Sequence, residues 1–101
     1  MYEDITFIEE DGKNATNELT VFALSTCGFC RRGINFLREN EMKFRYVYID
    51  KMGDFEKKSK LKKDLQEKFN KRVAFPFLVC NDEKAIVGFV KSDWEEICGL
   101  S

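Results

Sequence analysis

The chain has 101 residues, of which 44% are hydrophobic and 35% charged, and its 17 basic and 18 acidic side chains leave a net charge of −1. This length holds one domain with one core, and this composition excludes a disordered chain. The balanced charge excludes a general affinity for nucleic acid or anionic membranes, and no run approaches the roughly 18 apolar residues of a membrane helix.

The first predicted element of the domain is a buried strand over residues 19–24, a run of apolar, β-branched and aromatic side chains that ends in a tight loop. From Phe29 to about Glu41 the apolar residues take helical spacing, so Cys27 is expected at the N-terminus of a helix. A second strand over residues 43–50 completes a strand, helix, strand unit.

The second half of the domain begins with a helix over residues 54–70, for which Asp54 offers the N-cap. Residues 74–80 are typical of a strand, which the chain enters through its only proline. A turn over residues 81–84 joins this strand to another over residues 85–89, which predicts a hairpin.

The last predicted helix begins at Ser92, which opens a capping-box pattern, and ends before Gly99. The predicted order is that of a thioredoxin fold, an α/β fold with a four-stranded mixed sheet flanked by three helices. Residues 5–8 could add an N-terminal edge strand. We therefore divide the chain into an N-terminal extension, residues 1–18, and a domain, residues 19–101.

The chain has four cysteines and no histidine. This pattern differs from that of a secreted disulfide framework, and residues 1–12 are acidic, unlike the basic start of a signal peptide. We expect a cytoplasmic protein. In a reducing compartment, a close cysteine pair indicates redox or metal chemistry.

Cys27 and Cys30 form this close pair, at positions i and i+3 of a helix start. Disulfide exchange needs one thiolate that attacks and a second thiol that releases the bound partner, at a separation that allows an S–S bond. The positive end of the helix dipole favours the thiolate of Cys27, and Arg31 and Arg32 add positive charge nearby. Cys30, one turn into the helix, is expected to be more buried and to act second.

A zinc site is the alternative interpretation of such a pair. Structural zinc usually takes four cysteine or histidine ligands, and Cys80 and Cys98 do not form a second pair with the required spacing. The position between a strand and a helix favours redox chemistry, and we assign no metal ligands. Cys80 and Cys98 are interpreted as small buried hydrophobic residues, with a regulatory disulfide through Cys98 as the alternative.

Three motifs together resemble the glutaredoxin family, over roughly residues 19–100. They are residues 26–30 (Thr-Cys-Gly-Phe-Cys), residues 75–76 (Phe-Pro) and residues 87–89 (Val-Gly-Phe). The resemblance implies that Cys27 is the nucleophile and Cys30 the resolving thiol. It also implies a cis peptide bond before Pro76 and a Phe75 backbone that pairs with an extended substrate beside the active sulfur.

Several positions depart from the pattern of the family. Many glutaredoxins carry Pro-Tyr between the two cysteines, where this chain has Gly28 and Phe29, so a different redox potential is expected. Leu24, Ala74 and Phe89 replace a lysine, a threonine and a glycine that are common around the glutathione site. These replacements favour another low-molecular-weight thiol or a reductase as the electron donor.

The Gly-Phe turn is similar to that of redoxins that take electrons from thioredoxin reductase, and some archaeal and bacterial glutaredoxin-like proteins use other small thiols. Ser92 and Asp93, with Lys91, could hold the carboxylate and amine of a small thiol; the alternative is a helix cap on the surface. Phe29, between the two cysteines, is expected to line the substrate groove. The residues expected to bind substrate are Phe29, Phe75, Pro76, Gly88, Ser92 and Asp93.

The function predicted from the sequence is thiol–disulfide oxidoreduction through Cys27 and Cys30, on protein or small-molecule disulfides. No tightly bound cofactor is expected, with glutathione or another low-molecular-weight thiol as co-substrate. The expected partners are disulfide substrates and a thioredoxin-reductase-type donor, with no nucleic acid or membrane, and the chain is expected to be a monomer. Two alternatives stay open: an iron–sulfur carrier, because Cys-Gly-Phe-Cys resembles the Cys-Gly-Phe-Ser of single-thiol glutaredoxins, and a zinc-binding or structural domain.

Overall fold

The computed structural model describes residue 2 and residues 5–100. Residues 1, 3 and 4 of the predicted extension and residue 101 of the predicted domain lie outside this described part. A 3-10 turn, Ile49–Lys51, follows the third strand. The helices and strands are β1 (Ile8–Glu10), β2 (Leu19–Ala23), α1 (Gly28–Glu39), β3 (Phe44–Tyr48), α2 (Phe55–Phe69), β4 (Phe77–Cys80), β5 (Lys84–Val87) and α3 (Lys91–Ile97).

The strands form one mixed sheet in the order β1-β3-β2-β4-β5. The central strand β2 runs parallel to β3 and antiparallel to β4, and β4 runs antiparallel to β5. This arrangement confirms the thioredoxin fold, with the predicted four-stranded mixed sheet, three helices and an additional N-terminal edge strand.

The edge strand lies later in the chain than the sequence pattern predicts. The prediction places it at residues 5–8, whereas β1 pairs Ile8 with Tyr46 and Glu10 with Phe44. Phe7, just before it, turns its ring toward Phe22, with the ring centroids 6.0 Å apart. Phe7 therefore belongs to the core between the sheet and α2, and pairing with β3 begins at Ile8.

Two apolar clusters cover the two faces of the sheet. Alternate residues of a strand point to opposite faces, so Val21 faces α1 and α3, whereas Phe22 faces α2. The first cluster joins Trp94 of α3 to the sheet, and the second joins Leu61 and Leu65 of α2 to it. The molecule is therefore a three-layer sandwich of helix, sheet and helix.

The strand register brings several strand ends to one edge of the sheet. Ala23 lies opposite Tyr48, Phe22 opposite Phe77, and Phe77 opposite Val87. The C-terminal ends of β2, β3 and β5 therefore meet the N-terminal end of β4. We call this the dithiol edge, because Cys27 follows β2 there, and all three helices begin from it.

The two predicted helix caps have different outcomes. Asp54 caps α2 as predicted, and its side chain accepts a hydrogen bond of 3.1 Å from the backbone N–H of Lys57. The capping box at Ser92 is wrong, because α3 begins at Lys91 with Val90 as its N-cap and no side-chain cap. The indole of Trp94 donates a 3.0 Å hydrogen bond to the carbonyl of Gly88, and this bond links the first turns of α3 to the end of β5.

The end of α3 agrees with the sequence pattern. Gly99 takes the left-handed conformation, with a φ of +74°, directly after the C-cap at Cys98. No helix within residue 2 and residues 5–100 is long and apolar enough to cross a lipid bilayer.

Candidate active site

Cys27 is the N-cap of α1, at the dithiol edge of the sheet. Its backbone is extended, with φ −95° and ψ 117°, and its Sγ accepts a hydrogen bond of 3.1 Å from the backbone N–H of Cys30. The side chain is half-buried. The Cys27 sulfur thus receives a hydrogen bond at a helix N-terminus and remains partly accessible to solvent.

Cys30 lies one turn into α1 and is 1% exposed, within the cluster under α1 and α3. Burial, followed by the hydrogen bond with Cys27, raises the pKa of the Cys30 thiol to about 12. Cys30 therefore keeps its proton at neutral pH while Cys27 is accessible. The two cysteines differ in exposure as the sequence predicts.

Asp50 holds the loop that carries Cys27, a contact that the sequence analysis missed. Its Oδ1 accepts a 2.9 Å hydrogen bond from the backbone N–H of Ser25, and its Oδ2 accepts one from the Ser25 hydroxyl. These hydrogen bonds from Ser25 lower the pKa of the Asp50 carboxyl. The available signal was the parallel pairing of the two strands, which brings the residues after β2 and after β3 together.

The peptide bond between Phe75 and Pro76 is cis, as the resemblance implies, and Pro76 is buried. The Pro76 carbonyl accepts a 2.8 Å hydrogen bond from the backbone N–H of Gly88. Outside the strand ladders of the described residues, neither backbone group of Phe75 has a hydrogen-bond partner. Since Pro76 precedes β4 at the dithiol edge, the Phe75 backbone is free there to pair with an extended chain.

Gly88 and Phe89 form the turn after β5. Gly88 has a φ of +82°, and its carbonyl accepts the hydrogen bond from the Trp94 indole. The ring of Phe89 is half-buried, with its centroid 5.0 Å from that of Trp94 and 5.8 Å from that of Phe36. The bulk of Phe89 therefore packs against the core, and not toward the glutathione site around which the sequence analysis placed it.

Ser92 and Asp93 lie exposed in the first turn of α3, after Lys91. Asp93 lines a groove of about 900 Å³ along β5, together with Cys80 and Ile97. Neither cysteine of the dithiol pair lines this groove. This groove therefore does not join Asp93 to the dithiol pair.

Aromatic and basic side chains flank the dithiol pair. Phe29 is 58% exposed, and the guanidinium carbon of Arg32 lies 5.4 Å from the centre of its ring. Arg31 is exposed on the same helical turn. Across the dithiol edge, the ammonium of Lys62 lies 5.9 Å from the ring centre of Phe75. A cationic side chain therefore lies near the ring of each of these two phenylalanines.

Cys80 and Cys98 are buried in the cluster between the sheet and α3. Burial raises the pKa of Cys80, and burial followed by the neighbouring Cys80 raises the pKa of Cys98 to about 11. Their thiols are therefore poor nucleophiles at neutral pH. Among the described residues, no three His, Cys, Asp or Glu side chains lie close enough together to hold a metal ion.

Known proteins resemble this chain in sequence and in fold. The glutaredoxin family profile matches residues 19–85. The crystal structure of the glutaredoxin from Methanosarcina mazei Go1 is 30% identical with a TM-score of 0.80, and the match covers 92% of this chain and 87% of that one. That of Methanosarcina acetivorans methanoredoxin is 33% identical with a TM-score of 0.80, over 91% and 95% of the two chains.

A third solved structure, the glutaredoxin grx-1 from Archaeoglobus fulgidus, is 26% identical with a TM-score of 0.69. This match covers 81% of this chain and 86% of that one. No curated protein matches the sequence at a significant level.

Proposed function

Because the chain belongs to the glutaredoxin family, we propose that it reduces protein or small-molecule disulfides by dithiol exchange through Cys27 and Cys30. One observation carries this proposal. The Sγ of the accessible Cys27 accepts a hydrogen bond from the backbone N–H of Cys30, and Cys30 itself is 1% exposed. A hydrogen-bonded, accessible thiolate attacks, and a buried, protonated thiol waits.

The reaction has two exchange steps. The Cys27 thiolate attacks one sulfur of the substrate disulfide, forming a mixed disulfide and releasing the other sulfur as a thiolate, which takes a proton from solvent. Cys30 then attacks the Cys27 sulfur and passes its proton to the departing substrate sulfur, which leaves as the second substrate thiol. Two electrons have passed to the substrate, and the chain holds a Cys27–Cys30 disulfide. An external thiol or a reductase returns the two electrons.

For the electron donor, we propose that glutathione is poor compared with another small thiol or a thioredoxin-reductase-type protein. Leu24 is half-buried against the cluster on the α2 side and offers no charge to a carboxylate, and Ala74 is exposed without a hydroxyl. A missing contact to a charged group costs roughly 1–3 kcal/mol, which is a loss of about fivefold to 150-fold in affinity. Phe89 no longer supports this argument, since its ring packs inward.

The donor proposal is tested by restoring the two missing groups in one variant, Leu24→Lys with Ala74→Thr. We expect its rate with glutathione and glutathione reductase to rise, with an unchanged rate in dithiothreitol. Rapid turnover of the unmodified protein with millimolar glutathione would show that the donor proposal is wrong.

The dithiol proposal is tested by the turnover of a small disulfide with the wild type, Cys27→Ser and Cys30→Ser. We expect Cys27→Ser to be inactive and Cys30→Ser to accumulate a mixed disulfide, visible as a mass increase by the bound thiol. Wild-type activity of Cys27→Ser contradicts the proposal. A brown protein with visible absorbance after anaerobic purification would instead favour an iron–sulfur carrier.

We also propose a monomer in the cytoplasm, without a tightly bound cofactor. The two buried thiols Cys80 and Cys98 lie in one cluster, and buried unpaired thiols persist in a reducing compartment. The electrons pass through sulfur alone in both exchange steps, so the reaction needs no further redox group. Nucleic acid and membranes are not proposed as partners, because the net charge is −1.

A further inference from the structure

The loop between β2 and α1 is hydrogen-bonded to the carboxylate of Asp50, a residue outside the loop. Ser25, two residues before Cys27, gives both of its donors to this carboxylate: the N–H at 2.9 Å and the hydroxyl to the other oxygen. Asp50 stands in the 3-10 turn directly after β3. The contact therefore joins the ends of two parallel neighbouring strands at the dithiol edge.

Few other polar contacts fix this loop. Outside the strand ladders of the described residues, the remaining backbone–backbone hydrogen bond of residues 24–26 runs from the Cys27 N–H to the Leu24 carbonyl, at 3.2 Å. That bond lies within the loop and does not attach it to a neighbouring element. Thr26, which follows Ser25, is exposed. The polar attachment of the loop to the sheet is thus the pair of bonds to Asp50.

The orientation of Cys27 depends on this loop. The Sγ of Cys27 meets the Cys30 N–H only while the Cys27 backbone keeps its extended N-cap conformation. Charge-assisted hydrogen bonds are shorter and stronger than neutral ones, and here the carboxylate accepts two. Since Ser25 lowers the pKa of Asp50, the carboxylate keeps its charge at neutral pH.

We propose that Asp50 is a positioning residue for the dithiol reaction, which holds Ser25 so that the Cys27 sulfur stays on the N-terminus of α1. This inference rests on the proposed dithiol function. Asp50 acts through Ser25 and the loop, and takes no part in the exchange steps themselves.

The test compares Asp50→Ala and Asp50→Asn with Asp54→Ala as the matched control. Asp54 is exposed like Asp50 and also accepts a hydrogen bond from a backbone N–H, but it caps α2. Two readouts need no substrate: the rate at which iodoacetamide alkylates Cys27, and the equilibrium of the Cys27–Cys30 disulfide with dithiothreitol.

We expect Asp50→Ala to slow the alkylation of Cys27 about tenfold, the loss typical of a charged hydrogen bond, and to shift the disulfide equilibrium. Asp50→Asn keeps an acceptor for the Ser25 N–H and should recover most of the rate. Asp54→Ala should alkylate at the wild-type rate. If Asp50→Ala fails to fold, Ser25→Ala removes the hydroxyl bond alone and should slow alkylation about threefold.

The inference is overturned if Asp50→Ala, or Ser25→Ala in its place, matches the wild type in both readouts. It is also overturned if Asp54→Ala slows alkylation equally, because the effect would then come from general destabilisation. A wild type that forms no Cys27–Cys30 disulfide overturns the proposed function itself. The two failures are therefore distinguishable by the wild type alone.

Discussion

Cys27 and Cys30 stand one helical turn apart and have opposite environments. Cys27 is half-buried and receives an N–H hydrogen bond at the helix N-terminus, whereas Cys30 is 1% exposed with its pKa raised to about 12. Neither property needs a distant catalytic group. The difference follows from placing a Cys-x-x-Cys motif where a buried strand turns into a helix.

Two glycines of α1 also differ in their surroundings. A Cβ at Gly33 would lie 2.6 Å from the Trp94 indole, whereas a Cβ at Gly28 meets nothing within 4 Å. We expect Gly33→Ala to destabilise the fold by about 1–3 kcal/mol through overpacking, and Gly28→Ala to change stability by less than about 0.5 kcal/mol. Urea denaturation of the reduced proteins measures both. Equal stability of the two variants would contradict the packing of α1 on α3.

Sequence reasoning predicted the different burial of Cys27 and Cys30 and the cis Phe75–Pro76 bond, because their signals are local or carried by the family motifs. It missed Asp50, whose partner Ser25 is distant in sequence and is reached only through the parallel pairing of β2 and β3. It placed Phe89 around the glutathione site, although the ring packs on Trp94. The direction of an aromatic side chain at a turn depends on tertiary packing, which spacing does not contain.

At the scale of elements, the strands and helices with strong apolar runs were predictable. The long helix α2 has a local cap in Asp54, and the strand β2 is buried along its whole length. The start of α3 was not predictable, because the contact between Trp94 and Gly88 fixes it and no local cap does. The position of β1 was not predictable either, since it depends on the register with β3.

A bidentate ion pair between Glu10 and Arg38 joins the N-terminal strand β1 to α1. Arg38 donates from Nε and Nη2 to the carboxylate of Glu10, at 2.6–2.9 Å, with 43% and 26% of the two side chains exposed. The exposed pair of Lys13 with Glu41 has a single contact of 3.4 Å.

A double-mutant cycle on Arg38→Ala and Glu10→Ala should give a coupling of about 0.5–1 kcal/mol in the free energy of unfolding. The same cycle on Lys13 and Glu41 is the control and should show no measurable coupling. If the Arg38–Glu10 cycle shows no coupling either, this ion pair does not attach β1 to the domain.

For the molecule as a whole, the buried thiols predict a free energy of unfolding that falls at alkaline pH. The pKa of Cys30 is raised to about 12 and that of Cys98 to about 11, each chiefly by burial. A thiol in the unfolded chain ionises at a pKa of about 8.5. The unfolded state therefore releases protons first, and the stability from these thiols is complete below that pH and is lost as the pH rises toward the folded values.

Urea denaturation of the reduced protein between about pH 8 and pH 10 measures this loss, which begins near the pKa of a free thiol. The wild type should lose more stability over this interval than Cys98→Ala, which has one buried thiol fewer. Wild-type stability that stays constant or increases with pH would show that the thiols ionise as freely in the folded state as in the unfolded one.

The fold as a whole directs its chemistry to a single edge. The ends of β2, β3 and β5 and the start of β4 meet there, and each helix begins there. Cys27, the Phe75 backbone and the Asp50 carboxylate therefore come to the same edge from three separate parts of the sequence. The fold places an accessible thiol, a backbone segment without a hydrogen-bond partner outside the strand ladders and a fixed loop at one edge.

The most direct measurement is a redox titration of the wild type with reduced and oxidised dithiothreitol, followed by alkylation and peptide mapping. We expect one reversible two-electron transition in which Cys27 and Cys30 become linked, while Cys80 and Cys98 remain free thiols throughout. A chain that forms no disulfide in this titration, or one that forms it through Cys80 or Cys98, would contradict the assignment of Cys27 and Cys30 as the working pair.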